Sequence, residues 1–400
     1  MTSLARSLVT ASGRNLPVLA LGFRPFYLAA AGFAVLAVPA WLLIYTGKLS
    51  AMPGFNGLGW HIHEMLFGFA PAVIAGFLLT AVRNWTGRPT PTGPSLGALV
   101  LLWAAGRVLV VTGPVAAAAV VDTAFLPALG LAVALPVWRS RNTRNFKVIG
   151  IIAVLAVLNA TFHLAYLELI PAAWLPVAYR TALDTIALLI TVMAGRVVPA
   201  FTANAISGVN PRRITVVEVL AVGTVVAIAV LDVTSYWWQP PSAIRVSLLV
   251  TATVAHAVRL ACWSPLRTWR NPLLLMLPLA YAWLPVHFAL RALAALGLSP
   301  PAPATHALTI GAMAGLMVAM MMRSARGHTG RDLRAGPAEI SVFALLQLAA
   351  LVRVPTAAFA PAWTPHAALG SGLLWTIGFA VMFIAYWPAL TRPRVDGRPG

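Results

Sequence analysis

Acidic side chains are scarce in this chain: its 400 residues include nine Asp and Glu against 28 Lys and Arg, and charged residues make up only 9% of the whole. No stretch is hydrophilic enough to form a soluble domain, so the chain reads as one domain, 1–400. A hydrophobic content of 60% excludes a water-soluble fold of this length. The single cysteine, Cys262, excludes an internal disulfide and any cysteine-rich cluster site. No Walker loop, dinucleotide fingerprint or C-x-x-C-H attachment motif is present, so any haem would be held non-covalently. No compact apolar core precedes a small-residue cleavage site near the start, so the first helix is expected to serve as its own insertion signal. No segment alternates as a transmembrane barrel strand does.

What the chain has in abundance is apolar runs long enough to cross a bilayer as helices. Twelve are expected, at roughly 26–45, 60–82, 95–112, 115–137, 148–169, 174–198, 214–233, 243–262, 272–296, 304–323, 339–359 and 367–390. The third and fourth share a tight turn at Gly113-Pro114. The loops are short and rich in turn residues, as in Pro89-Thr90-Pro91-Thr92-Gly93-Pro94 and Ser299-Pro300-Pro301-Ala302-Pro303. The expected fold is therefore an all-α polytopic membrane protein whose principal partner is the lipid bilayer.

A net charge of +19 invites a nucleic-acid reading, but the distribution of charge argues against it. With the N-terminus inside, Arg6, Arg14, Arg24, Arg83, Arg88 and most later arginines fall at cytoplasmic helix ends. Only Lys48, Arg107, Arg180, Arg245, Arg291 and Arg353 lie in or near the outer half. This is the positive-inside pattern with both termini cytoplasmic, and no nucleic-acid partner is implied.

Against this background, Trp60-His61-Ile62-His63-Glu64-Met65 opens the second helix. Ionisable groups there are costly unless they have a role, and clustered imidazoles suggest bound metal or haem. Orientation places His61, His63, His163, His287, His306 and His366 in one outer layer. At 100° per residue His61 and His63 point about 200° apart if both are helical, so they serve two centres or chelate from an extended segment. Glu64 falls about 60° from His61 and could hold its ring from behind, or simply favour the helix dipole. Met313, Met317 and Met320 form a stripe suited to adaptable packing or to relaying Cu(I). Asp122, Asp184, Glu218 and, less clearly, Glu168 and Asp232 are intramembrane acids, and Asp184 is one turn from Arg180, a natural ion pair.

An internal repeat refines the site. Sliding the second helix onto the tenth puts His63 on His306, Gly68 on Gly311, Arg83 on Arg326, and Thr86-Gly87-Arg88 on Thr329-Gly330-Arg331. A second register puts His163 on His287 and Thr181 on Thr305. Three repeats of four helices would explain both, with sites at repeat interfaces. His63 and His306 are thus expected to be axial ligands of one haem, with Gly68 and Gly311 leaving room for the macrocycle. Some of His61, His163, His287 and His366 are expected to supply a second metal centre. At the inner face, Arg24, Arg83, Arg196, His328 and Arg331 join arginine or histidine to turn residues. They read as orientation and capping, or as an anion or quinone site.

The string from Trp60 to Phe69, with Asn84-Trp85-Thr86-Gly87, Gly195-Arg196-Val197-Val198-Pro199 and the segment from His306 to Arg331, resembles the NnrS family over about residues 20–390. The resemblance implies a bacterial inner-membrane protein of twelve helices carrying haem and copper, linked to denitrification and nitric-oxide stress. Three functions follow. One is a haem–copper protein acting on nitric oxide or metal–nitrosyl species. Another is a copper or metal–nitrosyl transporter using the methionine stripe. The third is a quinol-linked haem oxidoreductase, which lacks the His-Pro-Glu-Val-Tyr copper motif of haem–copper oxidases.

Overall fold

A computed structural model describes residues 16–398, so Arg6 and Arg14 lie outside the described residues. Among the described residues twelve helices are long and apolar enough to cross a membrane: α1 (Phe23–Tyr45), α2 (Gly57–Thr86), α3 (Gly93–Thr112), α4 (Val115–Arg139), α5 (Thr143–Tyr166), α6 (Trp174–Ala205), α7 (Thr215–Thr234), α8 (Ser242–Cys262), α9 (Pro272–Ala295), α10 (Pro301–His328), α11 (Pro337–Phe359) and α12 (Pro361–Thr391). No strand occurs among the described residues. Helices suit this sequence because they satisfy every backbone group within one apolar segment. Proline opens α9, α10, α11 and α12, where its missing N–H costs nothing. Gly87, at φ +63°, ends α2 in the left-handed conformation and its N–H returns to the Arg83 carbonyl.

The helices are not equivalent in depth of packing. The apolar window of α2 is 83% buried and that of α10 is 67%, against 28% for α8. Thus α2 and α10 are enclosed by other helices, and their polar side chains face protein rather than lipid. The helix of α2 already begins at Gly57, capped by the Asn56 side chain, which accepts from Gly59 N–H at 2.7 Å. His61 and His63 are therefore both helical, and chelation from an extended segment does not occur.

The enclosed pair shares an irregularity. A regular helix ends on His63, and a π-helical stretch follows at Glu64–Phe69. In α10 the regular helix ends on His306, and a π-helical stretch follows at Ala307–Ala314. The two positions equated by the sequence repeat thus carry the same backbone feature. Such insertions widen the turn and often mark functional sites.

Three of the six exceptions to the charge pattern find acidic partners inside the bundle. Arg107 pairs with Glu64 and Asp122, Arg245 with Asp232, and Arg291 with both Asp184 and Asp232. The expected Arg180–Asp184 pair is not formed: Arg180 is exposed against the Tyr179 ring, and Arg291 of α9 reaches Asp184 instead. An interhelical partner wins because Asp184 is wholly buried, where a solvent-facing arginine on its own helix cannot follow.

Candidate metal and cofactor sites

Two separate histidine sites flank the start of α2. The first is a compact cluster between α2, α3, α4 and α5. His63 Nε2 lies 3.1 Å from His163 Nε2, 3.1 Å from Asp122 Oδ2 and 3.1 Å from Asn159 Oδ1. His163 Nε2 is 2.8 Å from the same Asp122 oxygen. Asn159 Nδ2 donates to that oxygen at 2.9 Å. All four residues are buried. His63 Nδ1 faces Glu64 Oε1 at 3.1 Å, so with Nδ1–H donating to the carboxylate the Nε2 lone pair points into the cluster.

This arrangement is rich in electron pairs and short of positive charge. Arg107 donates to Glu64 Oε2 at 2.7 Å and also pairs with Asp122. One guanidinium thus faces two carboxylates, and one negative charge is left over in a buried place. A cation or a proton must balance it. Two imidazoles and a carboxylate whose donor atoms all lie within 4.8 Å of one another form a group able to hold a metal ion.

The local sequence explains the geometry. Gly106 lets α3 approach α4, since a Cβ there would stand 3.2 Å from Asp122 Cα. Gly68 leaves room for the ion pair: a Cβ would meet Arg107 Nη1 at 2.6 Å and Glu64 Oε2 at 2.9 Å. The π-helical stretch loosens the backbone ladder, and Trp103 Nε1 donates to the Gly68 carbonyl at 3.0 Å. Phe55 stacks on His63 at 4.9 Å, with Phe67 and Phe162 around it. This apolar shell keeps water from the cluster and strengthens each charge interaction inside it.

The second site is a cavity of about 640 Å³ walled by α1, α2, α6, α10, α11 and α12. That volume lies within the range of small-molecule and cofactor sites, about 300–1,000 Å³. Its wall carries His61, His306 and Arg353 among mainly apolar residues. The His61 ring stacks on Trp41 at 4.1 Å, and its Nδ1 is buried without a hydrogen-bond partner. His306 Nδ1 donates to the Ala302 carbonyl at 2.8 Å, which leaves Nε2 as the basic nitrogen. Arg353 donates to the Thr364 carbonyl at 3.1 Å and is otherwise without an acidic partner among the described residues.

The structure brings the expected residues together in different combinations. His63 joins His163, and His61 joins His306; His63 does not line the cavity that holds His306. The roughly 200° between His61 and His63 turns them toward two sites. Glu64 serves His63 and Arg107, not His61: its carboxylate is held by the Arg107 guanidinium from α3 on the cluster side. Gly68 and Gly311 are not on the cavity wall. Gly68 accommodates Arg107, and a Cβ on Gly311 would collide with the Trp283 ring. His287 stands apart, with Nδ1 donating to the Ala304 carbonyl at 2.7 Å and Nε2 unpartnered. His366 is exposed beside Trp363.

The inner-face candidates divide as well. Arg24 is buried and its Nη1 donates to the carbonyls of Leu390 at 3.2 Å and Arg392 at 2.8 Å, capping the end of α12. Phe23 and His328 lie 5.6 Å apart at the same end. Nearby, Arg394 pairs with Asp396 and holds its carboxyl below the usual carboxylate range. Arg331 Nη1 is buried without a partner. Arg196 instead donates to Asn145 Oδ1 at 2.7 Å, and Arg83 is exposed.

Four residues of these sites have no ligand role in the sequence reading. Asp122 stood only among the intramembrane acids, Arg107 and Arg353 only among the charge exceptions, and Asn159 was not singled out. Their signal was polarity inside an apolar span.

The fold and its sites define a twelve-helix membrane protein with a buried imidazole–carboxylate cluster beside a histidine-lined cavity. The family model described as NnrS protein matches residues 17–394, and the chain belongs to that family. Comparison with the curated proteins gives no match.

Proposed function

We propose that this is a haem- and copper-binding protein of the bacterial inner membrane that acts on nitric oxide or on metal–nitrosyl species. The observation that carries the reading is the separation of two unlike histidine sites on either face of α2. One is roomy, with two imidazoles and an arginine. The other is compact, with donors about 3 Å apart and one surplus negative charge.

The cavity suits haem. His61 and His306 would hold the iron, and Arg353 would take a propionate; haem bound there would supply an iron centre able to react with nitric oxide. The Trp41 stack fixes the His61 ring, and the Ala302 carbonyl fixes the tautomer of His306. The cluster suits copper. His63, His163 and Asp122 would hold it, and a monovalent ion would cancel the surplus charge. Glu64 orients His63 from behind, and Arg107 anchors both carboxylates. The same donors also suit ferrous iron, so metal analysis discriminates.

The test is an optical spectrum and elemental analysis of protein purified without chelators. A haem Soret band that responds to nitric oxide, with copper beside iron, is the expected result. Haem-free protein that moves copper in liposomes would sink the reading in favour of transport, and quinol turnover would favour the oxidoreductase. A finer test addresses the cluster alone. Gly68→Ala should drive Arg107 from Glu64 and weaken copper binding by about 10–100-fold, with haem content unchanged. Unaltered copper affinity in that variant would detach Glu64 and Arg107 from the metal site.

A further inference from the structure

Beyond Met313 the helix α10 passes a second, smaller hollow of about 100 Å³, partly open between the helices. Its wall includes Tyr27, Ile74, Met193, Ala194, Leu277 and Met317. Met313 belongs to this wall and to that of the histidine cavity. The lining is aliphatic, aromatic or thioether. The one hydroxyl, on Tyr27, is engaged with Ser324 Oγ at 3.2 Å.

Three classes of occupant can be weighed against this lining. Water needs two to four polar partners, and the wall offers none free. A soft cation is the attractive alternative, because Met193, Met313, Met317 and Met320 all present sulfur. Yet no carboxylate lines the hollow, and the acids within the bundle are committed elsewhere. Glu64 and Asp122 are held by Arg107, Asp184 and Asp232 by Arg291, Glu218 by Arg259, and Glu339 by Arg326. A resident cation would sit uncompensated in apolar surroundings, at a cost of about several kcal/mol. A small apolar molecule pays neither penalty. Dry apolar cavities of about 150 Å³ take up benzene or xenon, so this hollow has room for a diatomic gas.

We propose that the hollow is a docking site for a small apolar gas molecule, one methionine away from the histidine cavity. Methionine is the residue suited to such a partition, since its unbranched side chain swings between rotamers at low cost. That the gas is nitric oxide rests on the function proposed above; that the hollow takes an apolar gas does not.

Xenon is the probe. Diffraction from xenon-pressurised crystals of the full-length protein should show xenon bounded by Met193, Met313 and Met317. Ala194→Phe fills the hollow and should abolish that site, whereas Met317→Ala enlarges it and should raise occupancy. The second variant keeps the test decisive if the first fails to fold. Silver(I), standing in for Cu(I), should not bind there. The proposal is overturned by wild-type protein with no xenon in the hollow, by xenon occupancy indifferent to both variants, or by silver held between the methionines. Haem is not needed for any arm, so a failure here and a failure of the proposed function are distinguishable.

Discussion

Substitution of Arg107 by methionine is expected to destabilise the protein by about 3–5 kcal/mol, the usual cost of removing one partner from a buried ion pair. Methionine keeps the length and apolar stem of arginine but not its charge. Glu64 and Asp122 would then be two carboxylates without a cation, both wholly buried beside two imidazoles. Thermal unfolding in detergent reads the loss directly. Removing one surplus charge should restore much of it, so Arg107→Met/Glu64→Gln should be more stable than Arg107→Met alone. Added copper should also raise the midpoint of the single variant, because a ligand that binds only the folded state stabilises it by about 2.7 kcal/mol at a hundred times its dissociation constant. A single variant that melts with the wild type would mean that the carboxylates are not charged in the fold. The surplus-charge argument for a metal site would fall with it.

The helices themselves were legible from hydropathy, because a bilayer demands about 20 apolar residues whatever their neighbours. Depth along the helices was legible too: His63 with His163 and His61 with His306 lie at one level of the bundle. Pairing was not. Hydropathy sets how far along a helix a residue lies, but not which helix it meets, and α2 is enclosed by several others. The repeat equates His63 with His306, and α2 and α10 do share a π-helical stretch after those residues. Equivalence in a repeat places residues at matching positions in different units; it does not bring them into contact. Helical spacing puts Glu64 near His61, but its carboxylate turns to the Arg107 guanidinium and to His63, a choice that only the neighbouring helix makes.

The Arg107–Asp122 pair carried a signal that went unused. Helices α3 and α4 turn at Gly113-Pro114, so residues at similar distances from that turn lie side by side. At 1.5 Å per residue, Arg107 and Asp122 both fall about 10–13 Å from it, a lone cation and a lone acid at one depth in adjacent helices. The second cluster, Asp184, Asp232, Arg245 and Arg291, balances two acids with two arginines. The charge balance separates a structural network from a metal site where the composition of the two looks alike.

His61→Ala and His306→Ala should each remove or weaken haem binding, while His63→Ala should leave haem in place and affect copper. This reverses the pairing read from the repeat, in which His63 and His306 share one iron. The two expected ligands are not alike. The Ala302 carbonyl accepts from His306 Nδ1 at 2.8 Å, which raises the basicity of Nε2. His61 has no such acceptor at Nδ1 and depends on its Trp41 stack for orientation. His306 should therefore be the firmer ligand and His61 the one that yields when a gas binds. Haem content should fall further in His306→Ala than in His61→Ala. The residual haem of His61→Ala should be high-spin and should take carbon monoxide more tightly than the wild type, because no imidazole has to leave. Spectra and carbon monoxide titrations of the three variants decide the matter. A wild-type low-spin spectrum and full haem in both His61→Ala and His306→Ala, with loss of haem in His63→Ala, would return the haem to the cluster and leave the cavity without its assigned occupant.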